Sequence, residues 1–319
     1  MGPEKVTNIL SLDGGGSKGL YTLGVLKEFE IAAGKPLYET FDLIYGTSTG
    51  SIIAAMIALG YSVDDVKEKY LAIVPPVMKC FGSGRKSKKL STLGKQIFGD
   101  RKFDEFKTGI GIIATNYITQ RPLIFKNDVA RAHGTKSSFV PGFGVGILDA
   151  VEASCAACPV FSKKVLHTQN KEKLVAIDGG FIANNPTLFA LIDAKKALKL
   201  NDNQIRILSV GVGNYIEKPL NKLHKVINWF EMGQIASRIL VSSSNTTEVV
   251  TKLLFPEISI TRINDTFNEP QYGTNMIEYD LQKLKTMYRL GLESYAKHEP
   301  EIIKAFFEST SVEVEDLTL

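Results

Sequence analysis

The chain is poor in the residues that announce metal, redox or disulfide chemistry. Its 319 residues contain three cysteines, one tryptophan and four histidines. Three cysteines are too few for a disulfide framework. Cys155 and Cys158 have CxxC spacing, but no second CxxC and no nearby histidine accompanies them. That disfavours a zinc or redox site, and the pair reads as small packed thiols in an Ala-rich turn. No clustered acidic or EF-hand-like loop supports calcium, so no metal and no cofactor is expected. Net charge is +4, too weak by itself to argue for nucleic acid, and no RNA- or DNA-binding signature is present. No stretch reaches the ~18 apolar residues of a spanning helix, because Asp, Gly or Lys interrupts each candidate. Met1–Asn8 is too polar for a signal peptide. The expectation is a cytoplasmic protein that contacts lipid only from the surface, peripheral to a membrane when active.

What is present is a strand–helix alternation. Residues 7–12 (TNILSL) read as a buried strand, 19–33 as a helix, 41–45 (FDLIY) as a strand and 49–59 as a buried helix, followed by an amphipathic helix over 63–73. This order predicts an α/β fold with a parallel sheet covered on both faces. Further strands are expected at 109–115, 122–125, 174–177 and 205–210, and helices at 148–157 and 187–198. Residues 75–107 hold nine Lys or Arg against three acids, with Pro75-Pro76, Gly82 and Gly84 among them. They read as a mobile loop followed by a short helix near 91–98. Residues 220–254 and 275–307 read as helical, with an irregular strand-like stretch at 258–263. No repeat, low-complexity segment or linker divides the chain, which favours one domain over 1–319.

Three glycine-rich stretches fall at strand ends. Gly14-Gly15-Gly16-Ser17-Lys18-Gly19 has GxGxxG form. A dinucleotide site would want an acid at the end of the next strand, where Gly46-Thr47-Ser48 stands instead, and the P-loop spacing is absent. Backbone N–H groups forming an oxyanion hole, or a turn without chemistry, are the other readings. Gly46-Thr47-Ser48-Thr49-Gly50 fits G-x-S-x-G in the strand–turn–helix context that a nucleophile elbow requires. The glycines remove side chains that would clash at the turn, and the following helix points its positive end at a developing oxyanion. Asp178-Gly179-Gly180 ends a third strand, where the carboxylate can take a serine proton or simply make turn hydrogen bonds. A triad would need a histidine. His133, His167, His224 and His298 carry no motif and read as surface residues, which leaves a Ser48–Asp178 dyad.

GGGSKG, then GTSTG about 30 residues on, then DGG roughly 130 beyond, resembles the patatin-like phospholipase family over about residues 7–215. ASCAACPVF resembles the family's Ala-Ser-rich segment before the aspartate, and Asn184-Asn185-Pro186 after DGG is also typical. The resemblance implies a three-layer α/β/α sandwich with a mostly parallel central sheet. It implies Ser48 as nucleophile, Asp178 as its base and Gly14, Gly15 and Gly16 as the oxyanion hole. Lys18 stands where the family has Arg or Lys, and Gly19, Gly46, Gly50, Gly179 and Gly180 complete the motifs. Cys158 departs from the pattern, standing before Pro159 where the family usually has Ala.

The implied reaction is metal-free hydrolysis of a membrane phospholipid acyl ester through an acyl-enzyme. A non-phospholipid esterase or an acyltransferase would use the same dyad, and a nucleotide-binding module is the rival from another class. The basic stretch 79–107, which contains Phe81 and is flanked by Val77 and Met78, suits anionic head groups at about 1 kcal/mol per cation. It equally suits solvent, an inter-subunit surface of a homo-oligomer or an acidic ligand. Bacterial members of the family that act in anti-phage defence are switched on by a cyclic nucleotide, so such an activator stays open here.

Overall fold

The computed structural model describes residues 5–133, 136–216 and 228–308, with the side chains of 228–237 left aside. The order is β1 (Thr7–Leu12), α1 (Gly19–Ala33), α2 (Leu37–Thr40), β2 (Leu43–Thr47), α3 (Thr49–Ala58), α4 (Val63–Met78), α5 (Ser83–Phe98), β3 (Gly109–Asn116), β4 (Arg121–Lys126) and α6 (Ile147–Ser154). There follow β5 (Lys164–His167), β6 (Lys173–Asp178), α7 (Gly180–Ala183), α8 (Thr187–Ile192), β7 (Ile205–Val210), β8 (Asn214–Tyr215), α9 (Asn228–Leu254), β9 (Ser259–Ile263), β10 (Thr266–Phe267) and α10 (Leu281–Ile302).

The sheet is mixed, with a parallel centre. Strands β3, β2, β1, β7 and β9 lie side by side and all run parallel. β4 and β6 pair antiparallel with β3, and β5 pairs antiparallel with β6. Central strands buried on both faces need nearly continuous apolar sequence, and alternate residues point to opposite layers. Leu10 and Leu12 accordingly join the larger core under α1, α3 and α10, while Ile9 joins a smaller one under α7 and α8. This is the expected three-layer α/β/α arrangement. The C-terminal part is bound into it where α10 crosses α1. A Cβ on Gly24 would lie 2.2 Å from the Tyr288 carbonyl oxygen, and one on Gly291 would lie 2.1 Å from that of Tyr21.

The edge of β3 positions the site. β4 pairs with residues 111–116 of β3, so it takes one edge. β2 pairs with 109–113 and β6 with 114–116, so these two strands share the other edge end to end. Thr47, the last residue of β2, is opposite Ile113, and Asp178, the last residue of β6, is opposite Ala114. β2 thus leaves the sheet at Ser48 where β6 arrives with Asp178.

The stretch 75–107 differs from expectation. It is not a loop with a short helix. α4 continues through Pro75 and Pro76 to Met78, and α5 spans 16 residues. The two prolines fall in the last turn, so they remove only the donors to the Leu71 and Ala72 carbonyls. The helix still closes with Lys79 N–H on the Pro75 carbonyl at 3.0 Å. In α5 the buried positions are Lys86, Leu90, Gly94 and Phe98, a strict spacing of four that the lysines between them conceal. β2 begins at Leu43 rather than 41, because Phe41 stacks on Phe29 in the core with ring centroids 5.2 Å apart. α8 gives way at Asp193 to a π-helical turn over 193–197. β5, a half-exposed Lys- and His-bearing edge strand, was not expected from the sequence.

Candidate active site

Ser48 joins β2 to α3 with φ 52° and ψ −122°, a left-handed backbone conformation that costs a non-glycine residue ~1–3 kcal/mol. The surroundings hold it there. The Ser48 N–H donates to the Ser154 hydroxyl at 2.8 Å, and Ser154 donates to the Ile113 carbonyl at 2.5 Å. The Ser48 carbonyl accepts from the Ser51 N–H at 2.8 Å and the Ser51 hydroxyl at 2.6 Å. The elbow is sharp because its neighbours are glycines. A Cβ on Gly46 would lie 2.4 Å from the Gly50 carbonyl oxygen, and one on Gly50 would lie 2.3 Å from that of Leu12.

Asp178 is 4% exposed. Its Oδ1 accepts the Gly180 N–H at 2.7 Å. Its Oδ2 is buried without a full hydrogen bond among the described residues, and the Ser48 hydroxyl lies near enough to pull the carboxyl pKa down. A loose nucleophile–base contact of this kind is common in enzymes without bound substrate. Burial is the stronger influence and pushes the Asp178 pKa up to about 6, with the Gly180 N–H and the Ser48 hydroxyl opposing it. Gly179 lets β6 end close against β3, its N–H on the Ser154 carbonyl at 3.2 Å.

The glycine loop meets this pair from β1. Gly15 and Gly16 line the cleft that holds Ser48 and Asp178. Neither N–H has a hydrogen-bond acceptor among the described residues. Gly14 differs: its N–H donates to the Asn184 carbonyl at 3.0 Å. The Gly14 N–H, expected as one of three oxyanion donors, is therefore already committed within the fold, whereas those of Gly15 and Gly16 are not. The loop is anchored on several sides. Tyr70 donates to the Gly16 carbonyl at 2.6 Å, and the Ser17 N–H donates to the Met276 carbonyl at 2.9 Å. Asp13, just before the loop, forms a buried two-pronged pair with Arg262 at 2.8 and 2.6 Å. Gly19 opens α1 against the Tyr70 and Thr49 hydroxyls. Lys18 is buried and lines a smaller cavity at the glycine loop, not the Ser48 cleft.

The cleft is narrow and opens to solvent at its mouth. Its polar end is Ser48, Asp178 and the glycines. Thr49 and Asn184 also line it, and the remainder is largely apolar, with Ile52, Ile73, Val77, Leu90 and Phe161 among its walls. Cys155 also lines it, and burial raises that thiol's pKa far above the ordinary range. No histidine among the described residues lines the cleft. His133 and His298 bond Asp193 and Asp265 at 2.7 and 3.1 Å, His167 ends β5, and His224 lies outside the described residues. Sequence reasoning gave no role to Ser154, Tyr70 or Arg262. Ser154 lies in the Ala-Ser-rich segment, the one available signal, while Arg262 lies 249 residues from its partner.

Among the described residues no helix is long and apolar enough to cross a membrane. A model of the patatin-like phospholipase family matches residues 10–191. The chain is 46% identical over 301 residues to the cUMP-AMP-activated phospholipase of Escherichia coli, an alignment covering 94% of each. It is 29% identical over 216 residues to a cGAMP-activated phospholipase of Pseudomonas aeruginosa, covering 64% of this chain and 62% of that protein. It is 25% identical over 318 residues to calcium-independent phospholipase A2-gamma of Homo sapiens, covering 93% of this chain and 39% of that protein. With the elbow, the buried aspartate and the glycine loop at one apolar cleft, the family match settles the class: the chain belongs to the patatin-like phospholipase family and is a lipid acyl hydrolase.

Proposed function

We propose that Ser48 and Asp178 form a catalytic dyad that cleaves acyl esters of membrane phospholipids, and that a cyclic nucleotide activates the enzyme in anti-phage defence. The observation that carries the reading is the end-to-end arrival of β2 and β6 on one edge of β3, which aims a strained serine at a buried carboxylate. Asp178 in its anionic form takes the Ser48 proton as Oγ attacks the acyl carbonyl. The Gly15 and Gly16 N–H groups and the N-terminus of α3 hold the oxyanion, at ~2.7–4 kcal/mol for one donor of this kind. The head group leaves as an alcohol and the acyl chain stays on Ser48, its tail among the apolar walls. Asp178 then activates water to release the fatty acid.

The α4–α5 hairpin is the surface through which the enzyme reaches lipid from the cytoplasm. Val77 and Leu90 face the cleft from its inside, while Phe81 at its tip is 88% exposed beside Lys79 and Arg85. An exposed aromatic with exposed cations close by in sequence suits insertion into an anionic surface. The close α1–α10 crossing supports one catalytic unit over the described chain. The activator reading rests on the relative that shares 46% identity over nearly the whole chain and is itself cUMP-AMP-activated. The test is fatty-acid release from mixed phospholipid vesicles with a panel of cyclic nucleotides. The proposal expects release to require one of them and to vanish in Ser48→Ala.

A further inference from the structure

We infer that Asn184 positions the hydrolytic water of the deacylation step through its Oδ1 atom; this rests on the acyl-enzyme reading above. Asn184 follows α7 and is 4% exposed. Its Nδ2 donates to the Gly14 carbonyl at 3.2 Å and to the Ser244 hydroxyl on α9 at 2.8 Å. A carbonyl oxygen can only accept, so the atom facing Gly14 must be the N–H-bearing one. That fixes the side-chain orientation and leaves Oδ1 as a pure acceptor. Oδ1 is buried and has no hydrogen-bond partner among the described residues.

Asp178 Oδ2 is a second buried acceptor of the same cleft, and once Ser48 is acylated it loses the hydroxyl donor beside it. The Asp178 carboxyl and the Asn184 amide flank the same glycine, the carboxyl through its other oxygen, Oδ1. The position a Cβ on Gly180 would take lies 3.0 Å from Asp178 Oδ1 and 3.1 Å from Asn184 Oδ1. Asn184 Oδ1 also lies 2.6 Å from the corresponding position on Gly14, which is itself 3.1 Å from Ser48 Cβ. A buried acceptor left without a donor costs ~1–3 kcal/mol, so native structures seldom keep one without use. Two acceptors call for a ligand with two donors, and water is the smallest.

The step balances with these groups alone. Water oxygen bonds to the acyl carbonyl carbon. One water proton passes to Asp178 Oδ2, and the other O–H stays hydrogen-bonded to Asn184 Oδ1. When the tetrahedral intermediate collapses, the bond to Ser48 Oγ breaks and the Asp178 proton passes to Oγ. The retained O–H leaves on the fatty acid. Acylation needs no such water, so Asn184 Oδ1 acts on the second half-reaction only.

The experiment compares wild type with Asn184→Leu, which keeps the side-chain shape, and Asn184→Ala. With the activating cyclic nucleotide present throughout, it measures turnover of a soluble p-nitrophenyl ester, intact mass after acid quench and rate of fluorophosphonate labelling. The proposal expects kcat to fall about tenfold or more while kcat/KM stays within about threefold. It expects Ser48 to carry the acyl group in the quenched variants, with labelling near the wild-type rate. Ser244→Ala, which removes a partner of Nδ2 and a contact of Asp13 but leaves Oδ1 untouched, should show no acyl-enzyme accumulation. Equal losses in kcat and kcat/KM with no acyl-enzyme would overturn the inference and make Asn184 a holder of the glycine loop. Failure of both Asn184 variants to label would overturn it as well, since acylation would then depend on Asn184. Failure of wild type itself to label at Ser48 is a different result, and it would defeat the dyad reading first.

Discussion

Thr47 and Asp178 face consecutive residues of one strand, Ile113 and Ala114, although 131 positions of sequence separate them. One strand departs and another arrives from the opposite direction on the same edge. The serine after Thr47 and the carboxylate of Asp178 are thereby fixed by backbone pairing and do not depend on side-chain packing alone. Rigid elements of this kind hold a reacting pair more closely than loops do.

The Asp178 carboxyl must be ionised to act as base. With its pKa pushed up to about 6 by burial, kcat/KM should fall about tenfold per pH unit below that value and level off above it. A pH–rate profile on a soluble ester reads this directly.

The same shift has a stability consequence. A carboxyl whose folded pKa exceeds its unfolded value of ~3.9 favours the fold fully below pH ~4, and that contribution is lost as pH rises through about 6. Asp178→Asn removes the ionisation. It should exceed wild type in unfolding free energy at pH 8 by up to about 3 kcal/mol and converge with it near pH 4. Urea titrations at the two pH values measure the difference.

Gly50→Ala tests the close packing at the elbow. The added methyl would lie 2.3 Å from the Leu12 carbonyl oxygen and 2.7 Å from that of Asp13, both backbone atoms with little room to move. A loss of about 3 kcal/mol or more in unfolding free energy is expected, together with loss of Ser48 labelling.

Arg262→Met leaves the Asp13 carboxylate buried beneath the glycine loop without its partner. Breaking a buried pair on one side costs ~3–5 kcal/mol, whereas replacing both members is far milder. The double variant Asp13→Asn, Arg262→Met should therefore recover most of the stability lost in the single one, as denaturant midpoints will show.

Much of this was legible in the sequence, for local reasons. The first two strand–helix units, the Ser48 elbow and the Asp178 turn each depend on residues within a few positions, and glycine at a crossing leaves a plain mark. α5 was hidden because its core-facing positions are spaced by lysines, and one of the four is itself Lys86, whose ammonium reaches the Met78 carbonyl. The contacts of Asn184 with Gly14 and of Arg262 with Asp13 span 170 and 249 residues, and no periodicity reports pairings at that range. The commitment of the Gly14 N–H to Asn184 was invisible for the same reason.

Fatty-acid release from mixed phospholipid vesicles, measured for wild type, Ser48→Ala and Asp178→Ala beside fluorophosphonate labelling, tests the central claim most directly. The account predicts release by wild type under its activating nucleotide, persistence of that release in chelator, its disappearance in both variants, and labelling at Ser48 alone. Release that survives in Ser48→Ala, or labelling that falls on another residue, would contradict it.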